Sequence, residues 1–161
     1  MKLIDSHAHL DNEQFDEDRA EVLERIKENL EFAVNIGYDI ESSRRSVKYA
    51  NENDFIYAVV GVHPIDIEGY SDEVEKELEE LARDKKVLAI GEIGLDYHWM
   101  TQPKEVQQKF FRRQMELARR VGKPVVIHSR DAMEDTLTIL KEFPDVGGIF
   151  HCYPCLLYTS D

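Results

Sequence analysis

Apolar and polar positions alternate along the chain in two periods. Short runs rich in β-branched residues, KLIDSH, EFAVNIG, FIYAVVGVHP, VLAIGEIGLDY, PVVIHSRD and GGIFHCY, read as strands. Between them lie FDEDRAEVLERIKENL, IESSRRSVKYANEN, SDEVEKELEELARDKK, PKEVQQKFFRRQMELARRVG and DAMEDTLTILKEFP, whose apolar residues recur at helical spacing. Ser71 followed by Val74, Leu78 and Leu81 gives a capped amphipathic stripe. Gly122, with Pro124 just beyond it, should stop the helix that carries Phe110, Phe111, Met115 and Leu117.

The strand runs are near-continuously apolar, as parallel strands covered on both faces must be. Six strands with five connecting helices make a β-α unit repeated in order. Right-handed crossovers then lead either to an open doubly wound sheet or to a barrel. No glycine-rich phosphate loop follows the first strand, which weakens the dinucleotide-binding reading. A full (β/α)₈ barrel takes about 250 residues, and this chain has 161. The expected fold is therefore α/β, an incomplete TIM-like (β/α) barrel of six parallel strands.

Nearly all the unusual polar residues fall at the C-terminal ends of these strands. His7 and His9 end the first, His63 the third, Glu92 the fourth, His128 the fifth and His151 the sixth. Five of the six histidines are thus strand-terminal, and in a β/α barrel those ends converge on one mouth. His-x-His puts both rings on one face of a strand, where they can grip one ion. Glu92 lies between Ile90-Gly91 and Ile93-Gly94, where a charge is costly unless it is paired or metal-bound. Its two oxygens can bridge two ions ~3.5–4 Å apart, and His128 and His151 would complete the coordination of the second ion. His98, in the loop HWMTQP, reads as an exposed loop residue.

Composition limits the alternatives. The net charge of −13 gives no overall field for nucleic acid, though a local cation or metal can supply positive charge where it is needed. Arg112, Arg113, Arg119, Arg120 and Lys123 form a basic helix run, read as a solvated face in preference to a DNA track. No apolar run reaches the ~18–20 residues that span a bilayer, and Met1-Lys2 leads straight into a strand rather than a signal peptide. The two cysteines, Cys152 and Cys155, form no disulfide framework, so a reducing cytoplasmic setting is expected.

IDSHAHLD, GVHP, IGEIGLDY, PVVIHSRDA and FHC resemble, in order and spacing, the TatD family of metal-dependent deoxyribonucleases, within the amidohydrolase-like superfamily. The likeness runs from Met1 to Tyr153. It implies a β/α barrel with a binuclear site for divalent ions (magnesium, zinc, manganese or cobalt). His7, His9 and Glu92 would hold one ion, and Glu92, His128 and His151 the other. His63 would act at the scissile phosphate of DNA. Asp96 and Tyr97 are expected to shape the mouth. Arg130 is expected either to meet a phosphate or to pair with Asp131 or Glu134.

The same resemblance implies a further segment with two strands and an aspartate ligand, so residues 1–153 are expected to be a partial barrel and 154–161 a non-family tail. The full-length family is expected to be monomeric, while open strand edges would let this chain self-associate. Two other readings stay open: an amide or ester hydrolase of amidohydrolase type, aminoacyl-tRNA ester release included, and an inactive metal-binding fragment.

Overall fold

The computed structural model of the protein describes residues 3–152. The expected boundary at 153, the tail 154–161 and Cys155 lie outside them. The strands are β1 (Leu3–Ala8), β2 (Leu30–Ile36), β3 (Ile56–Val60), β4 (Val87–Asp96), β5 (Val125–Arg130) and β6 (Gly148–Phe150). The helices between them are α1 (Arg19–Asn29), α2 (Ile40–Glu52), α3 (Asp72–Leu81), α4 (Lys104–Val121) and α5 (Met133–Leu140). All strand pairs are parallel, and the sheet order follows the chain, β1-β2-β3-β4-β5-β6. This is the partial β/α barrel that the alternating pattern predicts.

Helix ends follow their local chemistry. The Ser71 hydroxyl accepts from the Val74 N–H at 3.3 Å and starts α3; a cap of this kind stabilises a helix by about 1 kcal/mol. Gly122 ends α4 with φ +65°, a left-handed conformation that glycine adopts without strain. Asp39 and Ser42 close a reciprocal capping box at the start of α2.

Strand side chains divide the core in two. Ile56, Ala58, Val60, Ile90, Ile93, Leu95, Val125 and Ile127 pack against the helices, with Leu78, Phe111, Met115 and Ile139 opposite them. Their alternates Val34, Ile36, Val59, Ala89 and Val126 make a smaller cluster on the inner face. The centre of the sheet is covered on both faces, but its margins are not. Leu3 and Ile4 of β1 are 64% and 56% exposed, and Ile149 of β6 is 53% exposed. Among the described residues, neither β1 nor β6 pairs on its outer side.

Candidate metal centre

Because Ile93 and Leu95 face the helices, Glu92, Gly94 and Asp96 face inward. Gly94 pairs in register with His128 of β5. A Cβ on Gly94 would lie 1.9 Å from the His128 carbonyl oxygen, so only glycine lets the two strands meet there. The His128 ring occupies the space beside Gly94 and reaches the carboxylates on either side. Its Nδ1 is 2.9 Å from Glu92 Oε1, and its Nε2 is 2.9 Å from Asp96 Oδ2.

Both His128 nitrogens face carboxylate oxygens, so the ring satisfies both only when protonated. Burial opposes that charge, but Glu92 and Asp96 outweigh it and raise the His128 pKa. Burial likewise opposes ionisation of Glu92. Hydrogen bonds from His128 and His7 override it and hold the carboxyl well below the usual range. Asp96 is also held low against its burial, by the Trp99 N–H and by His128. Glu92 and Asp96 thus favour positive charge at this point, which a proton on His128 or a bound cation would supply.

A second group forms where the two sheet margins curl towards each other. His7 Nε2 lies 3.4 Å from Glu92 Oε2. The His7 and His151 rings stack with centroids 3.6 Å apart, bringing the ends of β1 and β6 together. Burial and the neighbouring His7 lower the His151 pKa, which favours the neutral, ligating form. His9 stands 5.1 Å from His7, ring to ring. Its Nδ1 is 3.0 Å from the Ile36 carbonyl oxygen, which leaves Nε2 free, as in a ligand oriented by a backbone carbonyl.

Ligand-type atoms of His7, Glu92 and His151 lie within 4.8 Å of one another, as do those of His63, Asp96 and His128. The spatial grouping therefore puts His151 with His7, whereas the family resemblance puts it with His128. His63 follows β3 and meets the edge of the His128 ring at 4.2 Å. Its Nδ1 accepts from the Ile65 N–H at 3.3 Å, so the ring proton belongs on Nε2. Burial, reinforced by His128, pushes the His63 pKa down to about 4.

His7, His9, His63, Glu92, His128 and His151 line a cleft of about 500 Å³, with Arg130, Asp131 and Cys152 also on its walls, whereas Asp96 is buried behind the His128 ring and is not among the lining residues. The Cys152 Sγ is 3.1 Å from His151 Nε2. Arg130 makes no ion pair with Asp131 or Glu134. Tyr97 is not among the lining residues: its hydroxyl donates to Asp135 at 2.7 Å, and Lys104 covers its ring at 4.2 Å. His98 pairs with Asp131 at 3.3 Å. The basic run on α4 is consumed by carboxylates: Arg112 pairs with Glu142, Arg113 with Asp72 and Glu75, Arg119 with Glu116 and Asp145, and Arg120 with Glu75 and Glu79.

The site has parts that periodicity alone does not reveal. Gln107 of α4 donates to the Asp96 carbonyl at 2.9 Å and accepts the Asp96 N–H at 2.8 Å, fixing the strand end. Asp131 at the lip is a further case. Asp96 as the His128 partner was readable from its spacing of four residues from Glu92 along one strand face.

A family model described as TatD related DNase matches residues 4–155. The uncharacterized metal-dependent hydrolase YabD of Bacillus subtilis is 48% identical over 154 residues, covering 94% of this chain and 60% of that protein. The 3'-5' ssDNA/RNA exonuclease TatD of a Rahnella species is 37% identical over 149 residues, covering 90% and 57% respectively. The crystal structure of YjjV, a TatD homolog from Escherichia coli, superposes with a TM-score of 0.84 at 31% identity, over 94% of this chain and 60% of that one. The chain spans about three fifths of the length of the curated relatives it matches.

Proposed function

The chain belongs to the TatD related DNase family, and on that premise we propose that its strand-end cleft is a binuclear divalent-metal site for hydrolysing phosphodiester bonds in DNA. The observation that carries the reading is the convergence of His7, Glu92 and His151 with His63, Asp96 and His128 on one mouth, Glu92 reaching into both groups. The donor set fits a divalent cation. It combines imidazoles with carboxylates held ionised, and the oriented His9 leaves a nitrogen free. Bound ions there would polarise phosphoryl oxygens and supply a nucleophilic water near neutral pH.

The chain's own residues do the rest. Glu92 ties the two groups together and fixes their separation. Asp96 and Gln107 hold the end of β4, so His128 keeps its orientation. His63, with its proton on Nε2, offers a neutral donor to a phosphate oxygen or to the departing hydroxyl. Arg130, at the lip and without an ion pair among the described residues, is placed to neutralise a phosphate. Some relatives bear the name ssDNA/RNA exonuclease, so single strands are the first substrate to try.

Incubation of the 161-residue chain with a labelled single-stranded oligonucleotide, with and without manganese, tests the reading. Amide and aminoacyl-ester panels run beside it. Metal-dependent shortening of the oligonucleotide is the expected result. Turnover of an ester or amide with intact DNA would overturn the reading in favour of an amidohydrolase. No helix among the described residues is long and apolar enough to cross a membrane. We also take the chain as cytoplasmic, with self-association through β1 and β6 as its expected assembly.

A further inference from the structure

Overall charge cannot bring a polyanion to this cleft. The net charge is −13, and α4 spends its arginines on carboxylates. Counterion release by a lysine and arginine track, the usual source of sequence-independent affinity, is therefore small here. Stacking of unpaired bases on an aromatic side chain is the physical alternative, because it needs no positive surface.

The loop between β4 and α4 carries such a side chain. Trp99 is 57% exposed and is the sole tryptophan of the chain. The loop is anchored at several points. Asp96 Oδ1 accepts from the Trp99 N–H at 2.7 Å and from the His98 N–H at 3.0 Å, while Oδ2 of the same carboxylate holds His128. The Thr101 hydroxyl donates to the Ile65 carbonyl at 2.9 Å, in the segment after β3. One carboxylate thus sets both the metal-site imidazole and the backbone that presents the indole.

Arg130 supplies the second observation. Among the described residues it is the lysine or arginine that lines the cleft, and it pairs with no carboxylate. Its guanidinium lies 5.8 Å from the Trp99 ring centroid, near the ~6 Å limit of a cation–π contact, and the His98 ring meets the indole at 4.8 Å in an edge-on arrangement, yet Trp99 stays 57% exposed. The charge is open to a phosphate, and the exposed part of the ring beside it is open to a base.

We infer that Trp99, which stands beside the cleft next to Arg130 of its wall, is a base-stacking platform, receiving an unpaired nucleobase next to the phosphate that Arg130 meets. The inference rests on the nucleic-acid reading above. It gives the single-strand substrate suggested above a physical basis, because the bases of an intact duplex are already stacked on one another and cannot reach the indole. It also predicts weak sequence preference, since every base has a π-face.

Since Trp99 is the sole tryptophan, its emission reports the contact directly. A phosphorothioate tetrathymidylate, slow to hydrolyse, is titrated into the 161-residue chain with magnesium. Emission is read beside the anisotropy of a labelled copy. Quenching should saturate at the midpoint given by anisotropy. Trp99→Ala should weaken binding about 5- to 150-fold and Trp99→Phe only a few-fold, with unchanged circular dichroism in both. An abasic tetramer should bind wild type and Trp99→Ala equally weakly. Saturating anisotropy with unchanged emission and a Trp99→Ala variant that binds normally would overturn the platform and leave the nucleic-acid reading standing. Absence of saturable binding in every arm would overturn both.

Discussion

The middle of the sheet and its two margins contribute to the same cleft on very different terms. Glu92, Asp96, His128 and His63 come from β3, β4 and β5, whose strands are covered on both faces. Each of these groups is held by hydrogen bonds or close ring packing. His7 and His151 come from β1 and β6, which are exposed and paired on one side only. They are held chiefly by stacking on each other and by the reach of His7 to Glu92. A metal centre can therefore be half preorganised by a core and half assembled at a seam. Preorganisation should appear as affinity.

The largest expected contrast is in stability. Ile56→Ala, in the covered face of β3, should cost roughly 2–5 kcal/mol in urea unfolding. Ile4→Ala on exposed β1 should stay within about 0.5 kcal/mol. Equal losses would break the comparison. Asp96→Asn should weaken zinc binding at the central group about 10- to 100-fold in calorimetric titration, while the seam group should change little.

The smallest expected effect concerns pH. Burial, with Glu75 beside it, raises the pKa of Tyr70 above its ordinary 10. A raised folded-state pKa contributes stability that is complete below 10 and is lost as pH climbs above it. Wild type should lose on the order of 1 kcal/mol between about pH 9 and about pH 11 that Tyr70→Phe keeps. That loss belongs to the covered face and should not alter metal binding.

Much of this was legible in the sequence for physical reasons. Period-two and helical-period runs set the strand and helix order. The recurrence of His7, His9, His63, Glu92, His128 and His151 at strand ends pointed to one mouth. How the proposed ligands group in space was not legible. The stacking of His151 on His7 depends on how far the sheet curls, which no local pattern encodes. Tyr97 follows Asp96 directly, and alternation turns it towards Gln108 and Asp135 of α4 and α5 instead of into the cleft. The neutralisation of Arg113 and Arg120 depends on α3, whose acidic face meets them only in the fold. Gly94 was visible as a glycine, but its need became clear only with His128 across from it.

The central claim is that Glu92 anchors both halves of the centre. Calorimetric titration of zinc into the chain, its Glu92→Gln variant and its His7→Ala variant tests this most directly. The account predicts two binding events of unequal affinity in the wild-type chain. His7→Ala should lose the weaker event alone, and Glu92→Gln should weaken both by more than about 100-fold, beyond the loss expected for a supporting residue. Two events that persist unchanged in Glu92→Gln would contradict it.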